Sequence, residues 1–186
     1  MAQPPSDEEL LAAFLRGEEA MFAELVRRYE EPLHAFICRL TGEPAEAPDL
    51  FQETFIRVFQ HAATFRGESR FKTWLYAIAA NVCRSHRKRG RESFSAAEKT
   101  PVPFSHGTNG AAEAKEIGQR IGQAVGALPL EQREVFVLKV YDELSYAEIA
   151  RAVGRPLGTV KSQMRLALGK LRAELRQIAE AYGVMG

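Results

Sequence analysis

The sequence predicts an all-α protein made of two small helical domains, 1–91 and 117–186, joined by a flexible linker over 92–116, with a helix-turn-helix in the second domain. Three observations carry that expectation. Apolar residues recur at helical spacing through both halves, and no pair of alternating runs flanks a hairpin turn. From Glu92 the composition changes to Ser, Ala, Gly, Pro and Thr, with Pro101, Pro103, Gly107 and Gly110, so the stretch lacks the apolar side chains that would offset the entropy of ordering it. Near the C-terminus, Ser145-Tyr146-Ala147-Glu148 has the form of a capping box, and Ala150, Gly154 and Val160 follow at the spacing of two helices crossing at a sharp turn.

Leu10, Leu11, Phe14 and Leu15 form the stripe of a first short helix, which Arg16-Gly17 should stop. Met21, Phe22, Leu25, Val26 and Tyr29 repeat the stripe from Glu18, and it resumes at Leu33, Phe36, Ile37 and Leu40 after Pro32, where a kink or restart is expected. Thr41-Gly42-Glu43-Pro44 is turn chemistry. Leu50, Phe51, Thr54, Phe55, Val58 and Phe59 then line a third helix, with Asp49, Gln52, Glu53 and Arg57 largely on its other face. A loop over 64–69 leads to a fourth helix from about Arg70, which ends in Arg84, His86, Arg87, Lys88, Arg89 and Arg91, a basic terminus that suits the helix dipole. Beyond the linker, Ile117, Ile121, Val125 and Leu128 share a face, and Pro129 suits a first helical turn. Glu131-Gln132-Arg133-Glu134 ahead of Val135-Phe136-Val137-Leu138 favours helix over a buried strand. After the capping box a short helix should end at Gly154-Arg155-Pro156, and a second begins near Gly158-Thr159 with Val160, Met164, Leu168, Leu171 and Leu175 as its buried stripe.

The net charge of +1 conceals a strong segregation. Residues 1–53 carry 12 acidic and 4 basic side chains, 54–91 carry 1 acidic and 9 basic, and 151–176 carry 1 acidic and 7 basic. Two basic blocks separated by a neutral middle suggest two contacts with a polyanion, which points to nucleic acid. The longest uncharged apolar run, Trp74 to Ala80, is far shorter than the roughly 20 residues of a membrane span. An acidic N-terminus, unlike a secretory signal, and only two cysteines, Cys38 and Cys83, give the expectation of a cytoplasmic protein with reduced thiols and no membrane insertion.

The motifs Leu128-Pro129-Leu130-Glu131-Gln132-Arg133-Glu134-Val135-Phe136, Leu144-Ser145-Tyr146-Ala147-Glu148-Ile149-Ala150 and Pro156-Leu157-Gly158-Thr159-Val160-Lys161-Ser162 resemble region 4 of the extracytoplasmic-function (ECF) group of sigma-70-type RNA polymerase sigma factors. Asp49-Leu50-Phe51-Gln52-Glu53-Thr54-Phe55 and the run from Phe65 to Asn81 resemble region 2. The resemblance implies promoter-specific initiation with no catalytic activity and no cofactor. It implies core polymerase, through its β′ clamp helices and β flap, and promoter DNA as partners, with an anti-sigma factor as restraint. Carried over residue by residue, Asp49, Gln52, Glu53 and Phe55 would bind the polymerase. Phe65, Arg66, Arg70, Lys72, Trp74, Tyr76, Asn81, Arg84, Arg87 and Lys88 would recognise and open the −10 element. Arg155, Pro156, Gly158, Thr159, Lys161, Ser162, Gln163 and Arg165 would read the −35 element. Aromatic rings beside cations are what single-strand capture requires, and the start of a recognition helix enters the major groove. For Trp74 and Tyr76 individually, core packing is an equal expectation.

The recognition helix departs from the family, which usually places arginines where Gln163, Leu166 and Leu168 stand here. Two other classes of reading are a helix-turn-helix regulator acting without polymerase and a protein-binding adaptor. The sequence lacks a phosphate loop, a nucleophile elbow and His-Glu-x-x-His, so no enzymatic chemistry is expected. His34 with Cys38 and Cys83 with His86 could form a zinc site if their faces met, but burial as ordinary core cysteines is the stronger expectation and no metal is assigned.

Overall fold

The computed structural model describes residues 4–93 and 112–181. Eight α-helices are found among them: α1 Asp7–Leu15, α2 Glu19–Thr41, α3 Ala47–His61, α4 Phe71–Ser93, α5 Ala112–Ala127, α6 Leu130–Val140, α7 Tyr146–Val153 and α8 Leu157–Ala181. Helix thus reaches into both ends of the stretch expected as linker, and 94–111 lies outside the described residues.

Local chemistry sets the boundaries. Ser6 caps α1: Glu9 N donates to Ser6 Oγ while Ser6 N donates to Glu9 Oε2. The chain turns at Gly17, with φ +101°, before entering α2. No restart occurs at Pro32, which is exposed within a continuous α2. Leu25, Tyr29, Leu33, Phe36, Ile37 and Leu40 bury one face on both sides of it. At roughly 1.5–3 kcal/mol per large apolar side chain, their burial outweighs the loss of about 3 kcal/mol that an interior proline brings. Gly42, at φ +78°, closes α2 in the left-handed conformation, and its N donates to Cys38 O.

The acidic first turn of α1 is tied to two other helices. Asp7 accepts from Tyr29 Oη at 2.6 Å and from Arg28 at 3.1 Å, and Glu8 Oε1 accepts from Phe71 N, the first residue of α4, at 2.7 Å. In the second half the capping box forms as expected, since Glu148 N donates to Ser145 Oγ and Ser145 N donates to Glu148 Oε2. Gly154 ends α7 at φ +66°. The buried stripe of α8 is Val160, Met164, Ala167 and Leu171, whereas Leu168 and Leu175 are exposed, 47% and 41%. Helical periodicity explains the correction, because a face that holds Val160 and Met164 continues at the seventh and eleventh positions from Val160, not at the eighth.

The two halves share one continuous apolar cluster, with α4 against α7 and α2 against α6. Polar groups also cross the boundary. Arg133 of α6, 1% exposed, donates from Nη1 to Leu40 O of α2 at 3.0 Å and from Nη2 to Gly126 O and Leu128 O. Burial, with Arg87 nearby, lowers its guanidinium to about 10. Lys72 Nζ donates to Asp142 O at 2.7 Å, Arg151 Nη1 donates to Glu68 O at 3.1 Å, and the Arg39 guanidinium lies 4.1 Å above the Tyr141 ring. The Tyr76 hydroxyl and the Asp142 carboxyl face one another, but Tyr76 Oη and Asp142 Oδ2 are buried without a bond of good geometry.

Two stability measurements check this architecture. Glu8→Ala removes the acceptor at the start of α4 and should cost about 1 kcal/mol, a drop of several degrees in Tm by thermal melting. An unchanged Tm would show that water replaces the carboxylate. Burial pushes the Asp142 carboxyl up to about 7, against the opposing influence of Tyr76, Lys72 and Arg39. A carboxyl whose folded value lies above its unfolded value stabilises the fold most when protonated. That contribution is lost as pH rises from the unfolded value through about 7. Urea unfolding of wild type should therefore weaken relative to Asp142→Asn as pH rises, by at most about 1.4 kcal/mol per pH unit. Parallel pH profiles would refute the assignment.

Candidate nucleic-acid and partner interfaces

The expected partner face lies on α3. Asp49 and Gln52 are exposed, and Glu53 is half-buried because it already accepts from Arg57 Nη2 at 2.6 Å and sits 3.5 Å from Arg89 of α4. Phe55 is 6% exposed and packs edge-on against Phe22 and tilted against Phe51, so it supports the face from below. Beside these residues runs an apolar groove of about 510 Å³ between α2 and α3, lined by Phe22, Val26, Phe51, Phe55, Ile56 and Phe59 with Gln52 and Gln60 at its edges. Ile56 and Phe59 are exposed, 48% and 57%, although the apolar stripe places Phe59 with the buried residues. Ile56 lies one turn beyond Gln52, a spacing from which its place on the same face could have been read.

The second expected surface begins in the loop before α4. Thr64, Phe65, Arg66, Glu68, Ser69 and Trp74 line a cleft of about 390 Å³. Phe65 and Trp74 are half-buried with ring centroids 5.3 Å apart, and Phe71, buried beneath, contacts both. Arg66, which lines it, is exposed, and so is Arg70 at the end of the loop. Tyr76 departs from its expected role: it has no exposed surface and packs against Phe36 and Tyr29 at the centre of the domain, the core alternative anticipated for it. Trp74 sits between the two expectations. Asn81 is exposed and accepts from Arg84 Nη2. Lys72 and Arg84 are turned toward the second domain, Lys72 to Asp142 O and Arg84 to the carboxylate of Glu134. Arg87 has Nη1 buried without a hydrogen-bond partner, while Lys88 is exposed.

The third surface is the start of α8. Pro156, Gly158, Thr159, Lys161, Ser162 and Arg165 are all exposed, so the helix presents two cations four residues apart, with the Ser162 hydroxyl between them and Thr159 ahead of both. Arg155 is different. Its side chain is 19% exposed and pairs with Glu134 at 3.2 Å and Glu131 at 3.6 Å, so it anchors the turn instead of facing outward. Gln163 Nε2 lies 3.5 Å from Glu131 Oε2, a contact within the domain. Burial pushes the fully buried Glu134 carboxyl up, while Arg84 and Arg155 draw it down. Sequence reasoning missed Glu134 and Asp142, since charge counting treats a buried acid like a solvated one.

Other candidates resolve differently. Cys38 Sγ lies 3.7 Å from His34 Nδ1, and burial raises both thiols, Cys83 to about 12. The two cysteine-histidine pairs are not brought together among the described residues. The ligand-type side chains that do cluster are Glu43, Glu46 and His86, with His86 paired to Glu46. No helix among the described residues is long and apolar enough to cross a membrane.

Comparison with known proteins gives these surfaces their setting. Residues 25–92 match sigma-70 region 2 and residues 118–171 match sigma-70 region 4. The RNA polymerase sigma-H factor of Pseudomonas aeruginosa is 32% identical, the match covering 88% of this chain and 91% of that protein. The ECF RNA polymerase sigma factor SigW of Bacillus subtilis is also 32% identical, covering 88% and 93%. Among solved structures, the sigma factor RpoE in complex with the anti-sigma factor NepR from Bartonella quintana superposes with a TM-score of 0.69 at 27% identity, over 83% of this chain and 96% of that one. CnrH in complex with the cytosolic domain of CnrY shares the fold, with a TM-score of 0.71 at 24% identity over 93% and 99%. With both regions matched in order, the chain belongs to the ECF group of the sigma-70 family and is an RNA polymerase sigma factor, the component that directs promoter-specific initiation.

Proposed function

We propose that the three surfaces divide initiation among them. The α3 face binds core polymerase, the cleft before α4 captures an unpaired −10 base, and the start of α8 reads the −35 duplex. The observation that carries this reading is the cleft walled by Phe65 and Trp74 with Arg66 among its lining residues, which offers a stacking surface beside phosphate-binding charge. On α3, exposed Asp49 and Gln52 flank an apolar groove, so a partner helix with an apolar stripe and a basic edge fits it, as expected of the polymerase β′ clamp helices. On α8, Lys161 and Arg165 address one groove, and Thr159 stands at the helix start where backbone amides favour a phosphate. Arg155 and Gln163 act in this reading by holding the helix-turn-helix in shape.

The chain acts in the cytoplasm, by binding and not by catalysis, with the β flap as the expected site for its second domain. The similarity to a sigma factor crystallised with an anti-sigma protein supports an anti-sigma factor as its restraining partner. Family membership disfavours both a regulator independent of polymerase and a pure adaptor.

Asp49→Arg combined with Gln52→Arg should abolish co-purification with core polymerase while leaving helicity and Tm near wild type, because both side chains are exposed. Retained co-purification would remove α3 from the interface. Phe65→Ala with Arg66→Ala should reduce run-off transcription on a closed promoter by at least about tenfold more than on one pre-opened by mismatches around −10, if each lost stacked base costs about 1–3 kcal/mol. Equal losses on both templates would exclude a role in melting.

A further inference from the structure

Among the cations and hydroxyls at the start of α8, one large apolar side chain stands on the outward face. Val160, Met164, Ala167 and Leu171 are buried against the domain. At about 100° per residue, the direction opposite that stripe runs through Ser162 and Gly169, and Arg165 and Leu166 stand about 50° to either side of it. Leu166 is exposed, 48%. The surface before and after it is low, since Ser162 is small and a Cβ at Gly169 would meet nothing within 4 Å. Leu166 therefore projects as a single apolar knob beside Arg165. From Thr159 to Leu166 the helix rises about 10 Å, so the knob stays within a major groove about 12 Å wide. Leu168 and Leu175 are exposed to a similar degree, 47% and 41%, but neither shares this position. Leu168 lies about 110° from the outward direction, at the edge of the buried stripe, and Leu175 is about 14 Å further along the helix than Leu166.

We propose that Leu166 reads a thymine of the −35 element through its 5-methyl group. The base edges in the major groove offer one apolar group, the thymine methyl, and an aliphatic side chain that meets it takes both out of water. Against any other base, Leu166 would cover a polar edge without bonding to it. Arg165, on the other side of the outward direction, carries the fork that suits guanine O6 and N7, so the two side chains specify neighbouring bases by different chemistry. The proposal rests on the assignment of the start of α8 to the −35 duplex, and adds to it a contact that releases no counterions and so does not weaken with salt.

The test uses holoenzyme reconstituted from the full-length chain and core polymerase, with a promoter that the wild type selects from a pool randomised at −35. Each −35 thymine, on either strand, is replaced in turn by deoxyuridine, which removes the methyl group and nothing else. Promoter binding is read by competition at two salt concentrations. At one position uracil should weaken wild-type binding about threefold to fourfold, the worth of one buried methyl group, and by the same factor at both salts. Leu166→Ala should bind the thymine promoter correspondingly less well and lose the penalty for uracil at that position, so that the two changes together cost no more than either alone. Leu166→Met keeps an apolar side chain of similar volume and should retain the penalty, as should Leu168→Ala and Leu175→Ala. A selected −35 element without thymine, no uracil penalty in the wild type, or a penalty undiminished in Leu166→Ala would each overturn the proposal. So would loss of co-purification with core polymerase in Leu166→Ala, which would make this side chain a protein contact. The underlying reading fails separately. If Lys161→Ala with Arg165→Ala leaves −35 preference unchanged, α8 is not the reader. If that pair alters the preference while uracil has no effect, α8 reads the element without Leu166.

Discussion

A carboxylate without access to water, Glu134, lies between two guanidinium groups that come from distant parts of the chain, Arg84 on α4 and Arg155 at the turn between α7 and α8. Burying such a triad brings little net stability, because desolvation consumes most of the Coulomb attraction. Removing one member is costly, since it strands a charge in a low dielectric, so the arrangement fixes register more than it adds to the folding free energy. In this protein the register is that of one domain against the other. With Arg84 held at Glu134 of α6, α4 packs against α7. Lys72, three turns earlier on α4, then meets the carbonyl of Asp142, and Tyr76 meets its carboxyl.

Charge segregation along the chain acquires a physical purpose in this setting. The acids of the first half are not uniformly solvated, since Asp7 and Glu8 fasten α1 to α2 and to the start of α4, while Glu53 steadies α3 through Arg57. What stays free on α3 is Asp49 and Gln52, next to a groove of aromatic and aliphatic side chains. The basic blocks are likewise split between cations on the open surface and cations turned inward. A polyelectrolyte surface and a folded interface therefore share one helix, α4, which faces solvent at Lys88 and supplies Tyr76 to the core.

Much of this could be read before any coordinates. Stripes such as Leu25, Tyr29, Leu33, Phe36 and Leu40 need only a 3.6-residue period, and the capping box at Ser145 with Gly154 beyond it needs only local hydrogen bonding and backbone sterics. Most of the misses share a cause, because each depends on what lies opposite. Leu168 instead is the more apolar of its pair and draws the stripe toward itself, although the period set by Val160 and Met164 favours Ala167. Pro32 signals a break unless the burial on either side of it is known. Tyr76 and Trp74 sit two positions apart in one apolar run, yet one closes the core and the other walls a cleft. Lys72 and Arg84 read as surface cations because the acceptors that turn them inward lie on the other domain, and Arg155 because its acceptors lie on another helix of its own domain.

Arg133 carries a consequence of a different kind. Its guanidinium gathers the carbonyls of Leu40, Gly126 and Leu128, the backbone ends of two helices, and no partner side chain takes part. A planar fork with five donors can serve several carbonyls at once, whereas a lysine ammonium offers a single centre of charge. Because every residue type presents the same carbonyl, drift in side-chain identity at the partner positions leaves this joint intact. Position 133 should therefore tolerate almost no substitution while showing little covariation with the residues it binds. An alignment-based search for paired changes would miss the contact that most directly fastens α6 to the end of α2.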